Sequence, residues 1–326
     1  MTFEPDVIVD RRRIRRKLTF WRVSAVLAVI VAIVAVALAA TPAGRNALSG
    51  KTAIARIKIE GLIRSNQERV EALEKLESSK APAVIVHINS PGGTTAGSEQ
   101  LYDALVRLKA KKPVVVVVEG LAASGGYIAA MGADHIIAQQ TSLVGSIGVL
   151  FQYPNFSELL KTVGVKVEEV KSSPLKAAPN GFEPTSPEAR AAIDMLVKDS
   201  YAWFRGMVKD RRKLDDAQLE KVADGRVFTG RIAVDLKLID QIGDERTAVA
   251  WLAAQKGIPS DTPVRDYKLS PKLGDMTFIR ATASVVLDAI GLSEMARRME
   301  QTGVIAAADR LSLDGLLALW QPASSN

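Results

Sequence analysis

A run of five valines followed by a turn of small residues limits the possible folds of this chain more than any other feature. The stretch VVVVVEGLAASGGY covers residues 114–127 and follows Pro113. An uninterrupted run of β-branched residues is typical of a strand that is buried on both faces, as central strands of parallel sheets are. The sequence therefore predicts a central strand that turns sharply into a helix.

Strand and helix patterns alternate on both sides of this run. Such alternation is typical of an α/β fold in which helices cover a parallel sheet. Helices are predicted at residues 66–79, 95–109 and 156–163, and a long one starts at Thr185-Ser-Pro-Glu188 and runs to about Lys213. Strands are predicted at 54–61, 83–89, 114–118, 135–139 and 165–173.

Ser124 lies at the turn after the valine strand, where the next helix begins. The first N–H groups of a helix have no partner within it, so a developing oxyanion could be held there. A serine hydroxyl at this place could attack a substrate carbonyl. The alternative is an ordinary connection in which Ser124 only caps the helix.

Composition excludes several kinds of chemistry. The chain has 326 residues, no cysteine and two histidines, so thiolate catalysis, disulfides and cysteine metal sites are ruled out. His87 and His135 lie in apolar, strand-like runs with no metal-ligand spacing, and we expect no zinc site. The net charge of +7 is concentrated near the N-terminus, beside an apolar run, and does not indicate nucleic-acid binding.

The N-terminal part resembles a membrane anchor. Residues 1–22 include RRRIRRK, residues 23–40 are uncharged and largely apolar, and residues 41–51 have the composition of a linker. At about 1.5 Å per residue the apolar run nearly crosses a hydrocarbon core of about 30 Å. The flanking positive charge predicts a cytoplasmic N-terminus and, in a bacterium, places all that follows on the other side of the inner (cell) membrane, in the periplasm or on the outer surface. A cleavable signal peptide is the alternative, since ALAAT offers small residues for cleavage.

The rest of the chain divides into two parts. Residues 52–268 carry the regular α/β pattern and are predicted to form one compact domain. Residues 269–326 have a weaker pattern, with short helical pieces expected around Val285 and Leu311. We expect this second part to be a peripheral helical arm.

A nucleophilic serine needs a general base, and the histidines are poorly placed for that role. His87 lies within a buried strand, and His135 follows Ser124 at the far end of a helix, about 15 Å away at helical rise. A lysine in an apolar setting loses its proton more readily and can act instead. Lys171 and Lys176 lie in VKSSPLKAAP and are both candidates, although both could equally be solvated loop lysines.

Five motifs resemble the bacterial signal peptide peptidase A (protease IV) family in its short form. They are INSPGG at 88–93, GLAASGGY at 120–127, VGSIGV at 144–149, the KSSPLK loop at 171–176 and GRVFTGRIAVDLKLIDQIG at 225–243. Their order and spacing fit the family over roughly residues 52–256. The resemblance implies a crotonase-like or Clp protease-like fold and a membrane-anchored serine peptidase with a Ser-Lys dyad.

The resemblance also implies the roles of individual residues. Ser124 is the expected nucleophile, Lys176 the general base, and Ser146 the residue whose hydroxyl orients the lysine. Gly93 and Gly125 are the expected backbone donors of the oxyanion hole, with Gly92 as the near alternative to Gly93.

The lysine loop departs from the family pattern. Members commonly have Lys-Ser-Gly before the catalytic lysine and an acidic residue after it, whereas this chain has Ser173 and Ala177. Lys171 therefore stays open as the alternative to Lys176.

The family further implies a homo-oligomer on the membrane, with serine and lysine supplied by neighbouring protomers, and no cofactor or metal. The expected substrates are released signal peptides and other unfolded apolar peptides. Two other classes of function compete with this one. The first is a crotonase-like protein that binds an acyl thioester, and the second is a noncatalytic membrane scaffold.

Overall fold

The structure is a computed structural model that describes residues 52–269 and 316–320, together with Trp21, Ser24, Ala25 and Ala28. The chain forms two compact units, Met1–Thr52 and Ala53–Asn326. In the first unit the four isolated residues are helical, and the predicted anchor at 23–40 lies largely outside the described residues. No helix within the described part of the chain has both the length and the apolar character needed to cross a bilayer.

The second unit alternates strands and helices. The strands are, in chain order, β1 (Ile54–Glu60), β2 (Val84–Ser90), β3 (Gly92–Thr94), β4 (Val114–Ala123), β5 (His135–Ala138), β6 (Leu143–Gly145), β7 (Val227–Thr229), β8 (Gln241–Ile242), β9 (Val264–Asp266) and β10 (Leu317–Leu319). The helices are α1 (Gln67–Glu77), α2 (Thr95–Lys109), α3 (Gly125–Ala130), α4 (Ser157–Thr162), α5 (Pro187–Arg212), α6 (Asp216–Val222), α7 (Gly230–Asp235) and α8 (Glu245–Lys256).

The valine strand β4 lies at the centre of the main sheet. The strand order is β7-β6-β4-β2-β1-β9, with β5 pairing with both β4 and β8. Each of these pairs is parallel except β6 with β7. Strand β2 pairs with one edge of β4. On the other edge the first half of β4 pairs with β5 and its last three residues pair with β6, so both edges have partners. The predicted mostly parallel α/β sheet is confirmed.

Both faces of β4 are buried, as the valine run predicts. Val114, Val116 and Val118 point into the larger apolar cluster, which also contains residues of α1, α2 and α3. Val115 and Val117 point into a second cluster on the opposite face, which α8 closes. Side chains alternate between the two faces of a strand. A valine at every position therefore contributes apolar side chains to the cores on both faces of the sheet.

The helices begin where the sequence places capping residues. Asn66 caps α1 by accepting a hydrogen bond from the backbone N–H of Arg69. Ser186 caps α5 in the same way, and Pro187 occupies its first turn, where a missing N–H costs nothing. The predicted long helix is therefore confirmed.

One predicted strand is wrong. Residues 165–173 form no strand, and within 151–186 the only regular element is the short helix α4. We call residues 151–186 the lysine arm. An isolated extended segment has no stability of its own, and none of the described strands pairs with this one. Its apolar side chains are instead largely exposed, namely Phe156, Leu159, Val163, Val165, Val167, Val170, Leu175 and Phe182.

The C-terminal region also differs from expectation where it is described. Leu317–Leu319 form strand β10 and are buried, whereas a peripheral helical arm was predicted. The helical pieces expected around Val285 and Leu311 lie outside the described residues.

Candidate active site

The predicted site residues collect at the carboxyl ends of three adjacent parallel strands. Gly92 and Gly93 follow β2, Ser124 follows β4, and Ser146 follows β6, and β4 lies between the other two strands. The crevice at the carboxyl ends of parallel strands is where open α/β sheets bind ligands. The topology thus brings three of the predicted motifs to one edge.

The backbone at Ser124 adopts a conformation that is unusual for a residue with a side chain. Its φ is 54° and its ψ −116°. Its N–H donates to the carbonyl oxygen of Gly145 at 2.7 Å, and its own carbonyl accepts from Tyr127 and Ile128, both at 2.9 Å. A positive φ in serine costs on the order of 1–3 kcal/mol and persists only where the surroundings enforce it. The three backbone hydrogen bonds hold Ser124 in this conformation.

The Ser124 hydroxyl is not used to hold the helix. It makes no capping hydrogen bond to α3, although the side chain is only 1% exposed. Its one contact as a donor is to the carbonyl oxygen of Gly148 at 3.5 Å, which is the outer limit of a hydrogen bond. The alternative in which Ser124 only caps is therefore not supported, and the hydroxyl is available for chemistry.

The glycines near Ser124 are required by close backbone packing. A Cβ at Gly93 would overlap the carbonyl oxygen of Ile63, and a Cβ at Gly92, whose φ is +102°, would lie 2.7 Å from the backbone nitrogen of Gly125. A Cβ at Gly125 would overlap the hydroxyl oxygen of Ser98. The turn after β2 is thus pressed against the start of α3, which places the backbone of Gly92, the neighbour of Gly93, beside that of Gly125.

The space between these glycines is filled by a carbonyl that the sequence analysis did not predict there. A Cβ at Gly92 would overlap the carbonyl oxygen of Ala318, and a Cβ at Gly125 would lie 2.9 Å from the same atom. Strand β10 pairs antiparallel with β3, with Ala318 opposite Gly93. The apolar run LLALW after Gly315 was the available sequence signal, but nothing local reveals its distant partner.

Ser146 lies on the same strand edge as Ser124. It is buried, has a φ of 52° and follows Gly145, whose φ is +100°. Its N–H donates to the carbonyl oxygen of Arg226 at 2.8 Å. Among the described residues its hydroxyl has no hydrogen-bond partner, and so it could accept or donate to a group that enters the site.

Lys176 is not brought to Ser124 within one chain. The residue is exposed, on the lysine arm, and its backbone N–H donates to the carbonyl oxygen of Ser173 at 3.1 Å. Within the described part of the chain its ammonium group forms neither an ion pair nor a hydrogen bond. The two halves of the predicted dyad are therefore separate in a single subunit.

Lys171, the alternative base, is held in an ion-pair cluster. Its Nζ lies 2.8 Å from a carboxylate oxygen of Glu169 and 2.5 Å from one of Glu183. The hydrogen bonds to Glu169 and then Glu183 raise the pKa of Lys171 above its ordinary value. A cavity of about 580 Å³ beside this cluster is lined by Lys171 and Glu183 but not by Ser124. A lysine that is held protonated is a poor general base.

Neither histidine contacts Ser124. His87 uses both ring nitrogens, at 2.9 Å from Glu119 and 2.8 Å from Glu245. The ring of His135 stacks on Trp251, with 4.7 Å between ring centroids. Across the described residues, no group of histidine and carboxylate side chains is arranged to hold a metal ion.

Comparison with known proteins agrees with this architecture. Residues 106–259 match the sequence profile of peptidase family S49, and residues 56–143 match that of Clp protease. The structure of a ClpP1 mutant from Listeria monocytogenes aligns with a TM-score of 0.40 at 16% identity, over 59% of this chain and 92% of that one. The assignment of a Clp protease-like fold rests on the observed sheet and on the profile match.

Curated relatives extend the match to most of the chain. A protein of Synechocystis sp. designated as a protease is 36% identical over 250 residues, which are 76% of this chain and 90% of that protein. A protein of Enterococcus faecium designated as signal peptide peptidase SppA is 30% identical over 73% of this chain and 74% of its own length. The chain therefore belongs to peptidase family S49, the family of SppA, and is a serine-type peptidase.

Proposed function

We propose that this chain is a membrane-anchored endopeptidase that hydrolyses released signal peptides and other unfolded apolar peptides with a Ser124-Lys176 dyad. The observation that carries the proposal is the Ser124 hydroxyl. It is buried at the carboxyl edge of the sheet, released from helix capping and placed beside the close-packed glycines.

The chemistry is amide hydrolysis through an acyl-enzyme. Neutral Lys176 takes the proton of Ser124, and the serine oxygen bonds to the peptide carbonyl carbon. The N–H groups of Gly93 and Gly125 stabilise the oxyanion, and the lysinium then gives its proton to the leaving amine as the C–N bond breaks. Water hydrolyses the ester and restores Ser124.

The dyad is completed by a second copy of the chain. Lys176 has no partner for its ammonium group among the described residues, and the arm that carries it exposes a row of apolar side chains. Val170 is fully exposed, at 107% of its reference area. Exposed apolar side chains that form a continuous surface are typical of protein–protein contact sites. Packing of this lysine arm on a neighbouring protomer buries the apolar row and carries Lys176 to that protomer's Ser124.

Location and substrate follow from the N-terminal sequence. The apolar run at 23–40, preceded by RRRIRRK, is proposed as a single-pass anchor with a cytoplasmic N-terminus and a periplasmic peptidase domain. The designation of the Enterococcus relative as a signal peptide peptidase supports the substrate class. Released signal peptides are apolar and unfolded, and therefore offer the extended backbone that a strand-lined site requires.

The test is turnover of a leucine- and alanine-rich peptide by the full chain in detergent. Ser124→Ala and Lys176→Ala should each lower kcat by about 10³-fold or more, because each removes a member of a unit that acts together. Lys171→Ala is the matched control, since it alters a lysine of the same arm that is engaged with carboxylates, and it should retain activity.

Labelling with a fluorophosphonate separates the peptidase from the other two classes. Wild type should be labelled at Ser124, and Ser124→Ala should not be labelled. Binding of an acyl thioester without labelling would favour the thioester-binding protein, whereas a chain with neither property would favour the scaffold. Full activity of Lys176→Ala together with loss in Lys171→Ala would assign the base to Lys171 instead.

A further inference from the structure

A small polar cavity lies at the far end of α3 from Ser124. Its volume is about 210 Å³, and it is lined by Lys109, Asp134, Arg211, Arg212 and three apolar residues. Pockets for drug-sized ligands measure about 300–1,000 Å³, so this cavity has room for one small group. None of the proposed catalytic residues lines it.

The cations of the cavity come from the C-terminal ends of two helices. Lys109 is the last residue of α2, and Arg211 lies in the last turn of α5. The Nζ of Lys109 donates to the carbonyl oxygen of Ala133 at 3.3 Å, and the Nε of Arg211 donates to that of Met131 at 3.0 Å. Cations commonly satisfy carbonyls at helix ends, which explains their position but uses only one N–H of each.

The charges around the cavity do not cancel. Arg212 is neutralised by Asp240, since its Nη2 lies 2.8 Å from a carboxylate oxygen. Lys109 and Arg211 then face one lining carboxylate, that of Asp134. Burial lowers the pKa of the Lys109 ammonium, the nearby charge of Arg211 lowers it further, and Asp134 opposes this only in part. The cavity therefore carries one excess positive charge.

The guanidinium of Arg211 also has an unused donor. Its Cζ lies 5.5 Å from the ring centroid of Tyr102, so the aromatic ring contacts the guanidinium as a cation–π partner. The Nη2 atom is buried and has no hydrogen-bond partner among the described residues. Buried polar groups nearly always have a partner, and a group with acceptor oxygens in the adjoining cavity would supply one.

We propose that this cavity binds a single phosphate group, held by Lys109 and Arg211. After its bond to Ala133, the Lys109 ammonium keeps two of its three N–H groups, and Arg211 adds its Nη2. A phosphate group has three acceptor oxygens, which match these donors, whereas a carboxylate has two. Its negative charge offsets the excess positive charge. The inference does not depend on the proposed peptidase function.

A phosphate in this cavity would hold the end of the helix that starts at Ser124. The helix α3 has 6 residues and is followed by Met131, its C-cap. Its length is about 9 Å, so the cavity and the serine lie at opposite ends of one short rigid element. Arg211, which bonds to Met131, links the phosphate to this element. A bound phosphate should therefore stabilise the folded subunit.

The first test measures binding of inorganic phosphate to the full chain in detergent, by calorimetry at constant ionic strength. Wild type should bind one phosphate per subunit with saturation. Lys109→Gln and Arg211→Gln should each bind at least about tenfold more weakly, because each loses charge-assisted hydrogen bonds. Lys111→Gln is the matched control, since Lys111 is exposed and does not line the cavity, and it should bind as wild type does.

The second test measures unfolding by denaturant in phosphate and in chloride of equal ionic strength. Phosphate at about 100 times its Kd should lower the ratio of unfolded to folded wild type about a hundredfold, because only the folded chain binds it. Lys109→Gln should show no such change. This variant keeps the test decisive if Arg211→Gln fails to fold, since the bond of Arg211 to Met131 is then lost as well.

Competition distinguishes a free phosphate ion from a lipid headgroup. The full chain is placed in vesicles of phosphatidylglycerol or of phosphatidylcholine, and each is titrated with inorganic phosphate. Weaker apparent binding in phosphatidylglycerol would assign the cavity to the anionic headgroup, and equal binding would assign it to the free ion. No saturable binding, equal binding by wild type and Lys109→Gln, or tighter binding of acetate than of phosphate would overturn the inference.

Discussion

The strand edge that carries Ser124 and the arm that carries Lys176 are built by opposite means. Around Ser124 every neighbour is fixed by the sheet, by close glycine packing and by backbone hydrogen bonds. The lysine arm, residues 151–186, has one short helix, and most of its apolar side chains are exposed. A single subunit therefore fixes the proposed nucleophile, Ser124, among close contacts, whereas the proposed base, Lys176, is exposed on an arm with little regular structure.

Because of this difference, stability and activity should respond differently to mutation in the two regions. Substitutions at the strand edge should lower stability and activity in parallel, because the same contacts serve both. Substitutions on the lysine arm should lower activity through assembly, while the unfolding of the subunit is nearly unchanged.

The largest effect is expected for Gly93→Ala. Its Cβ would overlap the carbonyl oxygen of Ile63, a backbone atom that cannot move without disturbing the end of β2. We expect a loss of about 3 kcal/mol or more in the free energy of unfolding, together with loss of turnover. Gly206→Ala is the control, because no atom lies near its Cβ position within α5, and it should stabilise by about 0.5–1 kcal/mol. Chemical denaturation of both variants checks this, and equal stabilities would contradict the packing of the glycine turn.

The strand edge was largely predictable from sequence, and the arm was not. Local sequence patterns are enough to predict β4 and the turn at Ser124. A run of valines is typical of a buried strand, and a run of small residues after it is typical of a tight turn. The prediction at residues 165–173 was wrong because the β-branched residues there lie exposed in a segment that pairs with none of the described strands. The insertion of Ala318 opposite Gly93 depends on a contact between distant parts of the chain, which no local pattern specifies.

An intermediate effect is expected for a double variant of the arm, Leu159→Asp with Val170→Asp. Both side chains are exposed in the single chain, so the free energy of unfolding should change by less than about 0.5 kcal/mol. Charges on the proposed contact surface should instead weaken assembly and lower turnover about tenfold. Sedimentation and turnover, measured on the same sample, check this. A large loss of stability with intact assembly would show that these side chains are packed within the subunit.

A smaller effect is expected for Glu245→Gln, far from both regions in sequence. Arg56 binds this carboxylate through two hydrogen bonds, of 2.5 and 2.6 Å, and this bonding lowers the pKa of Glu245. A lowered carboxyl pKa stabilises the fold above the unfolded value of about 4.3, and the contribution disappears as the pH falls through the folded pKa. The variant should lose about 1–2 kcal/mol at pH 7, with no difference from wild type in strong acid.

The control for Glu245→Gln is Glu220→Gln, which breaks an exposed ion pair with Arg205. Surface pairs contribute little, so unfolding of this variant should match wild type at every pH. A pH-independent loss in Glu245→Gln would show that packing, and not the charge, accounts for its effect.

In the proposed assembly, the serine and the lysine of one active site come from two subunits. The direct measurement is turnover by mixed oligomers, co-expressed from equal amounts of Ser124→Ala and Lys176→Ala chains, each inactive alone. In a head-to-tail assembly about a quarter of the interfaces then join an intact Ser124 to an intact Lys176. We predict recovery of about that fraction of wild-type activity. Mixed oligomers as inactive as either parent would contradict the claim and place the dyad within a single chain.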